Sequence, residues 1–533
     1  MKKYELYQLY RPTTLRDLME YDKKTYGKRI AFHFTIRGQE YRITFQEAHD
    51  QTCSLAVWLQ NEGCDHQHIA VLGENSYEWL LVHFATTYSR NVIVPIDRNL
   101  SAAEMNDLIQ ESDCKILFCS DTYKDVQAKL SVPDLRIIFF SEIQQILLEG
   151  DRLISEDRVD LSVSAPSKDD LASIVFTSGT TGKSKGVMLT HGNFTSDIYG
   201  SCRNVHVEGE GLLVLPLHHM FGLVAGVYAP MLYGVTTYIN RSMKKLSQDI
   251  NKCGPQYMIV VPIIAEQFNQ KIWNNAKQKK KDKALKIMVC LSNCLLKLGI
   301  DIRYRAFEEI HQAFGGKLRL LVCGGAPMDE TIIQSLHSFG IEVLNGYGIT
   351  ECGPVVAVNR NQFIVPESVG LPLECNMVRI SDENEILVKG ENVMQGYYHQ
   401  EKETKDAFID GWFRTGDLGT IDKDGALHIL GRIKNLIILK NGENIPAEAL
   451  ESEILRIPFV KEAVVYGKND VITAEIYLDP EYQDASLHIR DEIAAINRKL
   501  PQNRNIADLV IRDEPFPKTT TLKIRRDRRM EHA

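Results

Sequence analysis

Short apolar runs alternate with segments of helical periodicity, and this rhythm constrains the fold more than any other feature of the sequence. The runs at 68–75 and 91–97 are predicted strands, and the apolar residues of 77–90 between them have helical spacing. Similar strand-like runs occur at 115–120, 136–140, 257–261, 318–323 and 341–344. A strand–helix–strand rhythm favours layered, mostly parallel sheets covered by helices. We therefore predict an α/β fold.

The pattern changes after about residue 431. Strand-like runs lie at 436–440, 463–467 and 471–479, and helical patterns lie at 447–457 and 488–500. This mixture predicts a small α+β domain of about 100 residues. The predicted domains are therefore a large N-terminal domain, residues 1–431, and a small C-terminal domain, residues 432–533.

Composition and charge exclude several classes of protein. The chain has 533 residues and a net charge of −8, which argues against nucleic acid as the main partner. No apolar run reaches the ~18 residues of a membrane-span candidate, and no signal peptide is predicted at the N-terminus. The 11 cysteines are dispersed, as is typical of a reducing cytosol, and they form no zinc-knuckle pairs. We predict a cytoplasmic protein.

One basic segment, residues 275–300, begins with lysines and continues with apolar residues at helical spacing. The simpler interpretation is a surface helix whose apolar face packs on the body of the protein. The alternative is a peripheral contact with a membrane.

The stretch FTSGTTGKSKG, Phe176–Gly186, has the composition of a phosphate-binding loop. It combines hydroxyl donors, glycines that let the backbone approach an anion, and two lysines. A P-loop would need glycine at position 177, where this chain has threonine, so the nucleoside-triphosphatase motif fails. A plain surface loop rich in glycine, serine and threonine is the remaining alternative.

The stretch TSGTTGKSKGVMLTH, 177–191, resembles the phosphate loop of the adenylate-forming (AMP-binding) enzyme superfamily. Further motifs follow in the order that this superfamily shows: LPLHHMFG (215–222), CGGAP (323–327), NGYGITECG (345–353), GWFRTGDLG (411–419), the hinge region 431–451, and PKTTTLKIRR (517–526). The resemblance spans roughly residues 25 to 530. Two positions depart from the usual pattern, with Ser184 in place of proline and Leu522 in place of glycine.

The resemblance implies a reaction in two steps. A carboxylate attacks the α-phosphate of ATP with Mg²⁺ present, giving an acyl-AMP and pyrophosphate, and a thiol then displaces AMP. The thiol acceptor is coenzyme A or the phosphopantetheine arm of an acyl carrier protein. The resemblance also implies that the small C-terminal domain is mobile and carries the catalytic lysine.

The same resemblance assigns roles to individual residues. It places nucleotide binding on Thr177, Ser178, Gly179, Thr180, Thr181, Gly182, Lys183, Lys185, Gly325, Ala326, Tyr347, Gly348, Asp417, Arg432 and Lys434. It implies catalytic roles for Thr350, Glu351, His219 and Lys523. Glu351 would hold Mg²⁺ and His219 would gate the acyl pocket. Lys434 would be the hinge, and Lys523 would bridge the carboxylate and the α-phosphate.

The interval Pro216–Asn240 contains no Asp or Glu, which disfavours an α-amino acid as substrate, because a buried ammonium needs a partner. The pocket segments are apolar, and the stretch 262–327 is similar to long-chain fatty acyl-CoA synthetases. We expect a medium- or long-chain fatty acid. An aryl acid, a carrier protein as acceptor, and a degenerate nucleotide-binding sensor remain alternatives.

Overall fold

The computed structural model describes residues 5–177, 184–439, 444–468, 471–482, 484–501, 504–518, 524 and 526. The described chain divides into two compact units. Unit 1 runs to Met377 and also includes Val388–Phe413. Unit 2 consists of Val378–Leu387 and the described residues from Arg414 onward. The predicted division between residues 431 and 432 concerns a functional movement and stays a prediction.

The strands are β1 (Ile30–Ile36), β2 (Gln39–Thr44), β3 (His68–Leu72), β4 (Val92–Ile96), β5 (Ile116–Cys119), β6 (Arg136–Phe139), β7 (Leu171–Thr177), β8 (Lys185–Thr190), β9 (Glu210–Leu213), β10 (Thr236–Ile239), β11 (Tyr257–Val260), β12 (Leu320–Cys323), β13 (Glu342–Gly348), β14 (Val355–Val358), β15 (Leu371–Pro372), β16 (Asn376–Ile380), β17 (Glu385–Gly390), β18 (Gly396–Tyr397), β19 (Phe408–Ile409), β20 (Trp412–Ile421), β21 (Leu427–Arg432), β22 (Leu436–Ile438), β23 (Asn444–Pro446), β24 (Val460–Lys468), β25 (Val471–Leu478) and β26 (Ile506–Arg512).

The α-helices are α1 (Leu15–Tyr26), α2 (Phe45–Asn61), α3 (Tyr77–Tyr88), α4 (Ala102–Glu111), α5 (Lys124–Gln127), α6 (Ile143–Ser155), α7 (His191–Asn204), α8 (Met220–Leu223), α9 (Ala229–Tyr233), α10 (Leu246–Cys253), α11 (Pro262–Gln278), α12 (Asp282–Lys297), α13 (Arg303–Ala306), α14 (Glu308–Gln312), α15 (Glu330–Ser338), α16 (Glu401–Asp406), α17 (Ala447–Leu455) and α18 (Ala485–Asn497). A π-helical turn, Val224–Tyr228, joins α8 to α9.

Two large sheets form the centre of unit 1. The seven-stranded sheet has the order β18-β8-β7-β4-β3-β5-β6, and the nine-stranded sheet has the order β15-β14-β13-β12-β11-β9-β10-β1-β2. Most inner strand pairs are parallel, whereas the β7–β8 pair and the pairs toward the edges at β18, β15 and β2 are antiparallel. The predicted α/β class with mostly parallel sheets is confirmed.

The middle strands of the seven-stranded sheet show why the sequence rhythm was informative. Residues of β3 and β4 are almost all apolar and buried, as expected for strands covered on both faces. The connecting helix α3 is capped by Ser76, whose side chain accepts a hydrogen bond from the Trp79 backbone N–H. All its residues except Glu78 are buried. Strand, crossover helix and parallel strand therefore follow directly from the predicted pattern.

Unit 2 contains the small α+β arrangement that the sequence predicts after residue 431. Strands β24, β25 and β26 form a three-stranded sheet, and β22 pairs with β23. Helices α17 and α18 contribute Leu450, Ile454, Ile489 and Ile493 to one apolar core with these strands. Upstream of them, β20 and β21 pair antiparallel within the same unit.

Buried histidines make part of unit 1 sensitive to acid. Burial lowers the pKa of His191 to about 4, and its Nδ1 accepts a hydrogen bond from the Leu15 backbone N–H. Between that pKa and about 6.5 the unfolded chain binds a proton that the folded chain does not, so this residue costs stability as pH falls. Buried carboxyls such as Asp22, whose pKa burial raises, act in the opposite direction.

We expect His191→Asn to remove this one contribution, because the amide oxygen is able to accept the same hydrogen bond without titrating. Its free energy of unfolding in urea, relative to the parent, should rise by up to about 1.4 kcal/mol per pH unit as pH falls from 6 to 4.5. His66→Asn, at an exposed site, is the control and should leave the pH dependence unchanged. Parallel curves for His191→Asn and the parent would contradict the assignment.

Candidate active site

Two neighbouring parallel strands of the nine-stranded sheet end side by side. In the pairing of β12 with β13, Cys323 lies opposite Asn345. Gly325 and Ala326 therefore follow β12 at the same sheet edge where Tyr347 lies near the end of the other strand, and this edge is where α/β folds bind ligands. Gly325 has φ +89°, a conformation that other residues rarely adopt.

Gly348 ends β13 in a position that excludes any side chain. A Cβ atom there would lie 1.8 Å from the carbonyl oxygen of Pro354. The register of the β13–β14 pair shifts between Tyr347 and Gly348, and the chain then enters a 3-10 turn, Thr350–Cys352. The glycine thus allows the sharp return that carries Thr350 and Glu351.

Buried polar groups hold this turn in place. The side-chain nitrogen of Asn392 donates to the carbonyl oxygens of Cys352 (2.8 Å) and Val355 (2.9 Å). Asp197 on α7 accepts from the Val355 backbone N–H at 2.9 Å, and burial raises the pKa of this carboxyl well above its usual value. The backbone that presents Glu351 is therefore fixed from two sides.

The base of the predicted phosphate loop is a β-ladder. Thr177 at the end of β7 pairs with Lys185 at the start of β8, and the Thr177 hydroxyl donates to the Lys185 carbonyl oxygen at 3.5 Å. The residues between them that the sequence assigns to phosphate binding, Ser178, Gly179, Thr180, Thr181, Gly182 and Lys183, lie outside the described residues. The structure thus describes both ends of the loop.

Tyr397 connects this ladder to the acidic turn. The Lys185 ammonium lies 4.6 Å from the centre of the Tyr397 ring, and the Tyr397 hydroxyl donates to Glu351 Oε1 at 3.0 Å. Burial and the neighbouring carboxylate raise the pKa of Tyr397 well above its usual value, which keeps the hydroxyl a donor. Sequence analysis missed this residue. Its backbone pairing with Val187 of β8 is visible only in the fold.

A second polar cluster lies where the chain enters α8. His218 Nε2 lies 3.4 Å from Asp97 Oδ1, and the rings of His218 and His219 are 4.4 Å apart. Burial and then the charge of His218 lower the pKa of His219 to about 3, so its imidazole is neutral near pH 7. Burial would raise the pKa of Asp97, but the hydrogen bond and charge of His218 hold it well below its usual range.

The histidine motif also reaches the strand-end site. A Cβ atom at Gly324 would lie 3.1 Å from the Phe221 ring, so this ring packs against the backbone that precedes Gly325. The interval Pro216–Asn240 contains no carboxylate of its own, yet the fold brings Asp97 to its edge. That residue carried no sequence signal, because it is far from the motif in the chain.

Unit 2 contains the remaining described candidates. Asp417 on β20 lies opposite Arg432 on β21, and Arg432 Nε is 2.7 Å from Asp417 Oδ1. The Asp417 side chain is buried, whereas that of Arg432 is 37% exposed. Lys434 lies in the 3-10 turn Ile433–Asn435 between β21 and β22. Lys523 lies outside the described residues.

Comparison with known proteins identifies the family of the chain. Residues 19–398 match the model of the family described as AMP-binding enzyme. The chain belongs to the AMP-binding enzyme family. Among its relatives, the long-chain-fatty-acid–CoA ligase FadD15 of Mycobacterium bovis is 32% identical over 485 residues, which cover 85% of this chain and 80% of the relative. The 2-succinylbenzoate–CoA ligase of Bacillus cereus is 29% identical over 449 residues, 82% of each chain.

Solved structures of other members share the fold. The o-succinylbenzoate coenzyme A synthetase MenE of Bacillus subtilis, solved with ATP and magnesium ion, superimposes with a TM-score of 0.73 at 22% identity over 95% of this chain and 98% of that chain. The match with the AMP-binding enzyme family and the ligase relatives confirm the predicted superfamily and enzyme class, an AMP-forming acid–thiol ligase.

Proposed function

We propose that this AMP-binding enzyme activates a medium- or long-chain fatty acid with ATP and transfers the acyl group to coenzyme A. The observation that carries the proposal is the contact chain in unit 1 from Lys185 through Tyr397 to Glu351. This contact chain joins a cation at the end of the phosphate loop to a carboxylate that is able to bind the metal ion of a metal–triphosphate complex. The fatty-acid relative, FadD15, supports the substrate class.

The residues of this site fit a nucleotide with Mg²⁺. Glu351 offers the hard oxygen ligand that Mg²⁺ takes together with phosphate oxygens. Asn345 Oδ1, two residues before Tyr347, is a buried acceptor without a hydrogen-bond partner among the described residues, and an adenine amino group is a suitable donor for it. Bound Mg²⁺ would neutralise phosphate charge. Asp417 and Arg432 would bind the ribose.

In the first step two anions must meet, so the protein's main task is to neutralise charge and align the reactants. Thr350 would donate to the α-phosphate, and the loop Thr177–Lys185 would hold the outer phosphates. Lys523 would bridge the attacking carboxylate and the α-phosphate. We assign it to the small, mobile domain, residues 432–533.

In the second step the small domain would turn at Lys434 and admit the thiol. Coenzyme A is the proposed acceptor, since the relatives named above are CoA ligases. A carrier-protein phosphopantetheine presents the same thiol and is the alternative that a direct comparison of acceptors would reveal.

The surroundings of His219 favour an apolar acid. The π-helical turn that follows α8 is built from Val224, Ala225, Gly226, Val227 and Tyr228. Asp97, the carboxylate that the fold brings near, is engaged by His218. A free ammonium group would therefore compete with His218 for this carboxylate. We propose that neutral His219 gates the entry of an alkyl chain.

Acid-dependent exchange between pyrophosphate and ATP tests the proposal. We expect exchange with medium- or long-chain fatty acids and not with amino acids, and thioester formation when coenzyme A is added. Exchange with aryl acids alone would show that the substrate is an aryl acid and not a fatty acid. ATP binding without exchange for any acid would contradict the ligase assignment and favour a nucleotide-binding sensor.

Tyr397→Phe should lower the apparent affinity for Mg²⁺, because it removes the hydrogen-bond donor to Glu351 while keeping the ring beside Lys185. A hydrogen bond to a charged group contributes about 1.5–3 kcal/mol, so the Mg²⁺ concentration for half-maximal exchange should rise about 10- to 100-fold. The matched control is Tyr398→Phe, which removes a hydroxyl that donates to exposed Asp113 at 2.8 Å. Equal Mg²⁺ dependence in both variants would refute the role of Tyr397.

A further inference from the structure

Helix α12 presents a continuous apolar face to solvent. Ala284, Ile287, Leu291, Cys294 and the C-cap residue Leu298 follow one another at steps of three or four residues, so they share one side of the helix. We call these five residues the outer face. Ile287, Leu291 and Leu298 are 70%, 51% and 75% exposed, which is unusual for large apolar side chains grouped on one helix.

The opposite side of α12 is already packed. Leu285 and Val289 pack against the large core of unit 1, and Ser292 is buried. The Asn293 side-chain nitrogen donates to the Ser338 hydroxyl on α15 at 3.0 Å. The predicted surface helix with one buried face is thus confirmed, but the apolar residues of 275–300 form two faces, and only one is covered.

Lysines flank the outer face along one side of α12 and also precede it in the chain. They are Lys277, Lys279, Lys280, Lys281, Lys283, Lys286 and Lys297, and all are exposed. Asp282 is the single acidic residue between positions 277 and 297. Lys279 also pairs with exposed Glu309 at 3.1 Å. The helix therefore joins an apolar stripe to a strongly cationic border.

We propose that the outer face and its lysines dock on the surface of an anionic lipid bilayer. Apolar side chains of a surface helix insert at the headgroup boundary while flanking lysines bind lipid phosphates. Charge favours this occupant over a second copy of the chain, which would bring two lysine clusters together. Among the described residues, none of the helices has the length and hydropathy that a transmembrane span requires. The inference goes beyond the proposed reaction.

Vesicle co-sedimentation of the full chain, without ATP or acid, tests this surface. We expect binding to phosphatidylcholine vesicles that contain phosphatidylglycerol, and much weaker binding to phosphatidylcholine alone or in high salt. Ile287→Ser/Leu291→Ser should lower the partition coefficient at least about tenfold. Lys283→Gln/Lys286→Gln should lower it about fivefold for each lysine removed.

The control is Leu148→Ser/Ile154→Ser on α6, which removes two exposed apolar residues (63% and 44%) from a helix that carries Glu149 and Asp151. It should bind like the parent, and all variants should keep the parent's circular dichroism. Any of three results would overturn the proposal. The first is no binding of the parent to the anionic vesicles, and the second is binding that the α12 variants leave unchanged. The third is a dimer that dissociates when Ile287 and Leu291 are replaced.

Discussion

Replacing Lys523 by alanine should lower the rate of acyl-AMP formation about 10²- to 10³-fold. A preorganised cation at the reacting charges contributes on the order of 2.7–4 kcal/mol to a transition state of this kind. Transfer of the acyl group from supplied acyl-AMP to coenzyme A should be largely unchanged. In this intermediate the carboxylate and the α-phosphate are already joined, so no cation is needed to bring the two anions together. Single-turnover assays of the two half-reactions measure both rates.

Lys518→Ala is the matched control, since this lysine lies in the same terminal motif but pairs with Glu462 at 2.6 Å within unit 2. It should retain adenylation. A loss of equal size in both half-reactions of Lys523→Ala would contradict the assigned role and indicate a general structural effect. If only the control lost adenylation, the catalytic lysine would be Lys518, and the assignment to Lys523 would be wrong.

Replacing Lys434 by proline should permit adenylation and lower thioester formation at least about tenfold. Proline fixes φ near −65° and restricts the residue before it, so the turn Ile433–Asn435 would lose the rotation that the second step needs. The contacts around this turn show what a rotation must break. Asn435 donates to Glu448 on α17, and a Cβ atom at Gly431 would lie 2.6 Å from the other Glu448 carboxylate oxygen.

Lys434→Ala is the control, because it removes the side chain and leaves the backbone free to turn. It should keep most thioester formation. The hinge assignment would be wrong if Lys434→Pro made thioester at the parental rate, or if alanine and proline were equally harmful. Measurement of both half-reactions for each variant separates these cases.

The sequence predicted the described fold well where one local rule sufficed. Strands β3 and β4 with helix α3 appear as predicted because a buried parallel strand is apolar throughout and a crossover helix is periodic. The strand at 341–344 was placed correctly but ended too early. The structure extends β13 to Gly348, since the glycine-rich stretch pairs with β14, which comes later in the chain.

The contacts of the candidate site were harder to predict. Motif order supplied Glu351, but its partner Tyr397 follows 46 residues later and belongs to a two-residue strand with no pattern of its own. Asp97 likewise meets His218 only because β4 ends beside the entry to α8. Long-range pairing of this kind depends on the order of the strands in the sheet, and the hydrophobic periodicity of the sequence does not reveal that order.

The ring of Tyr397 has a thermodynamic consequence. It contacts Lys185, beside the phosphate loop, and Glu351, the proposed metal ligand, so neither group is positioned independently of the other. Occupation of one by its ligand biases the orientation of the ring, and thereby the affinity of the other. Such a coupling free energy is equal in both directions. Magnesium should therefore raise the affinity for the triphosphate by the same factor by which the triphosphate raises the affinity for magnesium.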